Sequence, residues 1–261
     1  MHIGIIGCGW LGLPLAKKLI EVGHQITGST TSGEKVELLK AEGITPVLLN
    51  LDPEPKDKAY DELFKTDLLF INIPPKSRSH PPEHYTNQIK FLNRQIQNSE
   101  IRKVIFISST SFYPNINQVV TTDTLADLNN GSTKAVVQGE EEINKVDRDL
   151  LILRCGGLMG DDRIPGKWFA GKKVRGGHTP VNYIHRDDVI TIISEFINKG
   201  FSGKLVKNLV SDDHPNRKEV YQVMASRYGF EAPEFIEPRA KESKIVKSDF
   251  PESGLRSPLD F

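Results

Sequence analysis

Three glycines near the amino terminus have the spacing of a dinucleotide-binding loop. Gly7, Gly9 and Gly12 form a Gly-x-Gly-x-x-Gly motif. In this motif the first glycine permits a tight turn, the second lets a pyrophosphate approach the backbone, and the third lets a helix lie close to a strand. The free N–H groups at the start of that helix attract the phosphates. The motif predicts a site for a dinucleotide, and the alternative is a structural glycine turn without a ligand.

The residues around the loop predict the strand and the helix that the motif requires. The apolar run from His2 to Ile6 is typical of a buried parallel strand. Apolar residues then recur at helical spacing from Leu11 to Val22 and predict one buried helix face. Gly23 follows, where a glycine commonly ends a helix. This context makes a dinucleotide site the favoured interpretation of the glycines.

The end of the second predicted strand, residues 25–28, indicates which dinucleotide fits. NAD sites usually carry an acidic residue about 20 residues after the loop, where it binds the ribose 2′-hydroxyl. The stretch from Gly28 to Gly33 has no acidic residue. Hydroxyls and a lysine would accept a 2′-phosphate, so we expect NADP, with NAD possible; the alternative is a polar turn indifferent to the phosphate. The residues expected here are Ser29, Thr30, Thr31, Ser32 and Lys35.

Strand-like and helix-like segments alternate along the chain. Further strands are predicted at 46–49, 67–73, 103–107, 150–153 and 205–210, and helices at 34–39, 85–96, 134–146, 189–196 and 218–228. This alternation predicts an α/β protein with a doubly wound parallel (Rossmann) sheet. Glycines are frequent after residue 155. We therefore expect a dinucleotide-binding domain over 1–155 and a smaller substrate-side region over 156–261, of which about 181–210 packs back on the sheet.

Composition narrows the partners that we expect. The chain of 261 residues has 34 Lys+Arg and 34 Asp+Glu, so its net charge favours neither nucleic acid nor an anionic membrane. Two cysteines predict neither a disulfide framework nor a metal site. No apolar run is long enough for a membrane span, and the first predicted strand leaves no room for a signal peptide. We expect a cytoplasmic protein that binds a small-molecule substrate, as a monomer or a homodimer.

Motifs beyond the glycine loop resemble one enzyme family. They are the stretches SSTSFY at 108–113, RCGGLMG at 154–160 and VNYIHRDDV at 181–189. With the glycine loop, they resemble the extended, epimerase-like branch of the short-chain dehydrogenase/reductases, and most closely its atypical YeeZ-like group. The resemblance spans nearly the whole chain and implies the Rossmann fold. Within the third stretch, His185 and Asp188 are interpreted as structural residues that orient and cap a helix.

The resemblance also implies catalytic roles. In the family a serine hydrogen-bonds the substrate oxygen, a tyrosine transfers a proton, and a lysine four residues later holds the nicotinamide ribose. Ser109 and Lys134 match the serine and the lysine, but Asn130 occupies the tyrosine position and cannot ionise near neutral pH. We predict Tyr113, four residues past Ser109, as the replacement donor. The alternatives are Tyr183 and a packing role for Tyr113.

Two functions follow from these residues. The first is an NADP-dependent oxidoreductase or epimerase-like enzyme with Ser109, Tyr113 and Lys134 as catalytic residues, which the retained serine and lysine favour. The second is a non-catalytic NAD(P) sensor, which Asn130 favours. Pro74 is expected to shape the loop near the adenine or the pyrophosphate. The predicted cofactor-binding residues are Gly7, Gly9, Trp10, Leu11, Gly12, Ser29, Thr30, Thr31, Ser32, Lys35, Pro74 and Lys134.

Overall fold

The computed structural model describes residues 1–56, 59–77, 79–126, 128, 131–236 and 242–260, with the backbone alone for 131 and 132. The first elements are β1 (His2–Ile6), α1 (Gly12–Glu21), β2 (Gln25–Thr30), α2 (Glu34–Ala41), β3 (Thr45–Leu48), β4 (Leu68–Ile71), α3 (Pro82–Gln97) and β5 (Lys103–Ser109). The later elements are β6 (Gln118–Val120), α4 (Gly131–Ile143), β7 (Asp149–Cys155), β8 (Gly157–Met159), β9 (Lys173–Val174), β10 (Tyr183–His185), α5 (Arg186–Lys199), β11 (Lys204–Leu209), α6 (Arg217–Tyr228), β12 (Glu234–Phe235) and β13 (Lys244–Val246).

Seven strands form one parallel sheet in the order β11-β7-β5-β4-β1-β2-β3, flanked by helices. β4 is the central strand. β1 lies between β4 and β2, with Ile5 opposite Gly28 of β2 and Phe70 of β4. The chain runs outward from β1 to β3 and then crosses back to β4, so the strand order reverses between β1 and β4. This confirms the predicted Rossmann fold. Ligands of such sheets lie at the reversal point, outside the carboxyl ends of the strands.

By its internal contacts the chain divides into two compact units. Unit 1 comprises Met1–Phe112, Asp127–Leu153 and Ile190–Val206, and unit 2 comprises Tyr113–Ala126, Arg154–Val189 and Lys207–Phe261. The core of unit 1 is built from apolar side chains of the sheet strands and of α3 and α4. Unit 2 has its own small core, which consists of Ile164, Val181, Val220, Tyr221 and Met224. The predicted boundary at residue 155 stays a prediction.

Several local expectations need correction. The predicted buried face of α1 does not reach Val22, which lies beyond the end of the helix and is 51% exposed. Gly23 follows with a φ of 91°, as predicted for a glycine after a helix. α5 begins at Arg186, so Asp187 and Asp188 lie in its first turn rather than in front of it. Within the described residues, no helix combines the length and the apolar character that a membrane span needs.

Candidate functional site

Two of the three fingerprint glycines are required by the fold itself. Gly7 has a φ of 101°, and a Cβ there would lie 2.4 Å from the carbonyl oxygen of Asn72, just after β4. A Cβ on Gly12 would lie 2.1 Å from the carbonyl oxygen of Gly7. Real Cβ atoms do not approach backbone this closely, so both positions demand glycine. These two glycines allow the loop and the start of α1 to pack against the strands, as the motif predicts.

Gly9 is different, because nothing in the described structure requires a glycine there. It is exposed, its φ lies outside the left-handed region, and a Cβ would meet no protein atom within 4 Å. In the described part of the chain, the N–H groups of Gly9 and Leu11 make no hydrogen bond. Open space above a glycine beside free N–H donors fits a pyrophosphate. Trp10, between the two, is half-buried.

Ser29, a predicted cofactor-binding residue, is buried beside the glycine loop. Its side chain is 3% exposed, and its Oγ accepts a hydrogen bond from the Gly7 N–H at 2.9 Å. Its carbonyl oxygen accepts the Cys8 N–H at 2.9 Å. The physical reason is the extent of β2, which continues to Thr30 and carries Ser29 into the sheet. Contact between Ser29 and a 2′-phosphate stays untested.

The remaining polar residues after β2 differ in exposure. Thr30 is 7% exposed, and its Oγ1 accepts the N–H of Ser32 at 3.2 Å. Thr31 and Lys35 are exposed and Ser32 is half-buried. A 2′-phosphate would therefore meet the turn at Thr31, Ser32 and Lys35, while Thr30 shapes the turn. Glu34, beside Lys35, opens α2 and is also exposed.

The two cysteines are buried, whereas Pro74 is exposed. Cys8 is 4% exposed, and burial raises the pKa of its thiol to about 12. Its Sγ lies 2.4 Å from where a Cβ on Gly28 would be, so Cys8 fills the space that this glycine leaves in β2. Cys155 is also buried, with a thiol pKa raised to about 12 by burial. Pro74 is exposed in the segment after β4, and its contact with a ligand stays a prediction.

Ser109 ends β5 with its hydroxyl available for donation. Its Oγ accepts a hydrogen bond from the Ser111 N–H at 3.1 Å. Within the described residues no acceptor takes the proton of the Ser109 hydroxyl. A hydroxyl that accepts from a backbone N–H is a stronger donor, because hydrogen bonds in a chain polarise one another. This arrangement fits the predicted hydrogen bond from Ser109 to a substrate oxygen.

A buried carboxylate beneath this strand end was not predicted from the sequence. Glu140 of α4 is 5% exposed, and the Ser108 hydroxyl donates to its Oε1. Gly139 before it packs so closely on Tyr85 that a Cβ would lie 2.5 Å from the ring. The sequence signal was weak: Glu140 is an acidic residue at helical spacing from the apolar Val136, Val137 and Ile143, which are buried in the structure. Ser108 and Glu140 tie β5 to α4.

Lys134 lies near the start of α4, and the structure ties this helix to the turn after β5. The Thr133 Oγ1 donates to the carbonyl oxygen of Ser111 at 2.9 Å. The Lys134 Nζ lies 3.4 Å from Glu83 Oε1, and 42% of the lysine side chain is exposed. The pKa of Glu83 is lowered, first by its own backbone N–H and then by Lys134. Asn130 lies outside the described residues.

Tyr113 belongs to unit 2, where its hydroxyl is already engaged. The side chain is 1% exposed, its hydroxyl donates to Asn208 Oδ1 at 2.6 Å, and it accepts from Arg154 Nη1 at 2.8 Å. The Arg154 guanidinium also lies 5.0 Å from the centre of the ring. These contacts favour the packing alternative. The donor role of Tyr113 stays a prediction, as does that of Tyr183, whose hydroxyl lies 3.3 Å from the Tyr221 hydroxyl.

The two residues interpreted as structural, His185 and Asp188, both contact Arg256 in unit 2. The Arg256 N–H donates to Asp188 Oδ2 at 2.9 Å, and its Nη1 lies 2.5 Å from His185 Nδ1. Burial lowers the pKa of His185, and the positive charge of Arg256 lowers it further. The neutral His185 imidazole therefore accepts a hydrogen bond from the Arg256 guanidinium, and this bond helps to hold the C-terminal segment. These contacts are consistent with the structural interpretation.

Known sequences match the glycine loop and most of the chain. Residues 2–74 match the profile of the NAD binding domain of 6-phosphogluconate dehydrogenase. This match includes the glycine loop, β2 and the end of β4. Over 236 residues the chain is 33% identical to protein YeeZ of Escherichia coli strain K12, covering 89% of this chain and 86% of YeeZ.

Comparison with solved structures bears on the fold. The enzyme WbmH of Bordetella bronchiseptica, solved in complex with NAD⁺, superposes with a TM-score of 0.80 at 14% identity, covering 99% of this chain and 94% of WbmH. UDP-glucose 4-epimerase of Bifidobacterium longum, solved with NAD⁺ and UDP, gives a TM-score of 0.79 at 16% identity, covering 100% and 95%. The chain therefore has the Rossmann-like fold of NAD-dependent epimerases.

Proposed function

The chain belongs to the YeeZ family, an atypical group of short-chain dehydrogenase/reductases, and we propose that it is an NADP-dependent oxidoreductase or epimerase-like enzyme. The observation that carries this proposal is the open space at Gly9. A Rossmann loop keeps such a position clear when a pyrophosphate must approach the backbone. The free N–H groups of Gly9 and Leu11 supply donors for that pyrophosphate.

Ser109 and Lys134 are the residues that we assign to the chemistry. NADP, when bound, supplies hydride transfer at the nicotinamide C4. Ser109 donates its unused hydroxyl proton to the oxygen of a carbonyl or alcohol substrate and so orients the reacting carbon. Lys134 donates to the nicotinamide ribose and adds positive potential, and its ion pair with Glu83 keeps the ammonium at the start of α4. Tyr113 is the donor that the sequence predicts, its contacts with Asn208 and Arg154 favour packing, and the Tyr113→Phe variant decides between the two roles.

The preference for NADP is supported by the residues after β2. The stretch from Gly28 to Gly33 carries no carboxylate, and Thr31, Ser32 and Lys35 are at least partly exposed. Hydroxyl groups and an ammonium can donate to a 2′-phosphate, and a charge-assisted hydrogen bond contributes about 1.5–3 kcal/mol. We therefore expect NADPH to bind about ten- to hundredfold more tightly than NADH. The exposed carboxylates of Glu34 and Glu37, in the first turn of α2, oppose this preference.

Titration of the purified protein with NADPH and with NADH tests the cofactor assignment. Quenching of tryptophan fluorescence gives both dissociation constants, because Trp10 lies within the glycine loop. Tighter binding of NADPH supports the proposal, and tighter binding of NADH ends the NADP assignment. Lys35→Ala, at an exposed position, is expected to weaken NADPH binding and leave NADH binding unchanged. Failure to bind either dinucleotide contradicts the proposed function itself.

A non-catalytic NAD(P) sensor is the second candidate, and Asn130 at the family's tyrosine position favours it. Consumption of NADPH, followed by its absorbance over a panel of aldehydes, ketones and nucleotide sugars, separates the two. An enzyme consumes NADPH with at least one compound, and Ser109→Ala reduces that rate. A sensor binds NADPH and NADP⁺ with different affinities and consumes neither. We also propose a cytoplasmic location, which the lack of a disulfide between the two cysteines of the chain supports.

A further inference from the structure

The carboxyl end of β2 holds the first turn of the glycine loop by three contacts. The Ser29 Oγ accepts the Gly7 N–H, and the Ser29 carbonyl accepts the Cys8 N–H, both at 2.9 Å. The Cys8 Sγ occupies the space beside Gly28, 2.4 Å from where a Cβ would stand. The next strand of the sheet thus sets the orientation of two successive peptide units in the loop.

The peptide of Gly7 is also the surface on which α1 rests. A Cβ on Gly12, the first residue of α1, would lie 2.1 Å from the Gly7 carbonyl oxygen. A rotation of the Gly7 peptide would therefore displace the start of the helix and the N–H groups of Gly9 and Leu11. The Gly7 carbonyl lies in the same peptide unit as the Cys8 N–H, which the Ser29 carbonyl accepts, whereas the Ser29 hydroxyl accepts the N–H of the preceding peptide unit, that of Gly7. The two units share the Gly7 Cα, so a rotation of the first changes the Gly7 φ angle and moves the second. Ser29 is 3% exposed, so water does not readily replace the hydroxyl that opposes this rotation.

We propose that Ser29 is a positioning residue, which orients the glycine loop for the pyrophosphate through the Gly7 N–H without contacting the ribose phosphate. This inference rests on the proposed dinucleotide binding. It separates two roles at the end of β2: Ser29 sets the affinity for every dinucleotide, whereas the exposed turn at Thr31, Ser32 and Lys35 sets the choice between NADP and NAD. Ser29 therefore acts equally on NADPH and NADH.

The test compares Ser29→Ala with a matched control on the same strand. Thr27 is 2% exposed, and its Oγ1 lies 2.8 Å from His2 Nε2, away from the loop. Each substitution removes one buried hydroxyl with one side-chain hydrogen bond. Dissociation constants for NADPH and NADH and the unfolding temperature are measured for the wild type, Ser29→Ala and Thr27→Ala.

Ser29→Ala is expected to weaken the binding of NADPH and of NADH about tenfold each, because one hydrogen bond that preorganises the loop is lost. The ratio of the two dissociation constants should stay unchanged. Thr27→Ala also removes a buried methyl group, so it is expected to lower the unfolding temperature at least as much as Ser29→Ala does, with both affinities unchanged. In Ser29→Ala the Gly7 amide should also exchange with solvent faster. Unchanged affinities in Ser29→Ala overturn the positioning role, and a loss confined to NADPH shows contact with the 2′-phosphate instead. A wild type that binds neither dinucleotide refutes the proposed function rather than the role of Ser29.

Discussion

Replacement of Tyr113 by phenylalanine separates a structural role from a catalytic one. The substitution removes a hydroxyl that donates to Asn208 Oδ1 at 2.6 Å and accepts from Arg154 Nη1 at 2.8 Å. A hydrogen bond to a charged group contributes about 1.5–3 kcal/mol and one to a neutral group about 0.5–1.5 kcal/mol. Because the site is 1% exposed, water does not compensate. We expect the free energy of unfolding to fall by about 2–4 kcal/mol.

Urea unfolding followed by fluorescence measures this loss, which corresponds to a fall in the unfolding temperature of roughly 4–16 °C. Tyr183→Phe is the matched control, because the Tyr183 hydroxyl lies 3.3 Å from the neutral hydroxyl of Tyr221. Its expected loss is about 1 kcal/mol. A loss below about 0.5 kcal/mol in Tyr113→Phe, the size of a surface substitution, refutes the structural reasoning. A hundredfold fall in turnover at unchanged stability would instead establish the donor role.

Two further predictions concern titrating groups. Cys8 and Cys155 should resist a thiol reagent at pH 8 until the protein is unfolded, because burial raises both thiol pKa values to about 12; rapid labelling of the native protein would contradict this. Burial lowers the pKa of Lys244 to about 8, so between pH 8 and about 10 this lysine holds more protons in the unfolded chain. Its contribution to the free energy of unfolding therefore rises with pH, opposite in sign to the contribution of the two buried thiols. Lys244→Met should lose that rise in urea unfolding at several pH values, and an identical pH dependence in the variant would contradict the burial of the ammonium.

The parts of the fold that sequence predicts best are those in which hydrophobic patterning decides the structure. The strand after Met1, the glycine loop and the helix from Gly12 were predicted because buried parallel strands are continuously apolar and the motif has fixed geometry. The pairs β6–β13, β8–β10 and β9–β12 were not predicted, since strands of two or three residues leave no periodic signal.

Side-chain partners were the part of the candidate site that sequence could not supply. Ser29 was grouped with its exposed neighbours because the end of β2 was predicted two residues early. The partner of the Tyr113 hydroxyl, Asn208, lies 95 positions away in sequence. The sequence did not distinguish Glu140 from an exposed helical glutamate, because its partner Ser108 comes from a different element of the fold. Such contacts depend on which strands become neighbours and on which way each side chain points.

The central claim, that the glycine loop binds the dinucleotide, is tested most directly by NADPH titration of Gly9→Val. A side chain at this position meets no protein atom within 4 Å of its Cβ, so the variant should keep the unfolding temperature of the wild type. The same side chain fills the space of the pyrophosphate, so NADPH and NADH affinities should fall by at least about 100-fold. Gly33→Ala, at another glycine with open space, should leave NADH affinity unchanged. Wild-type affinity for NADPH in a folded Gly9→Val protein would contradict the account.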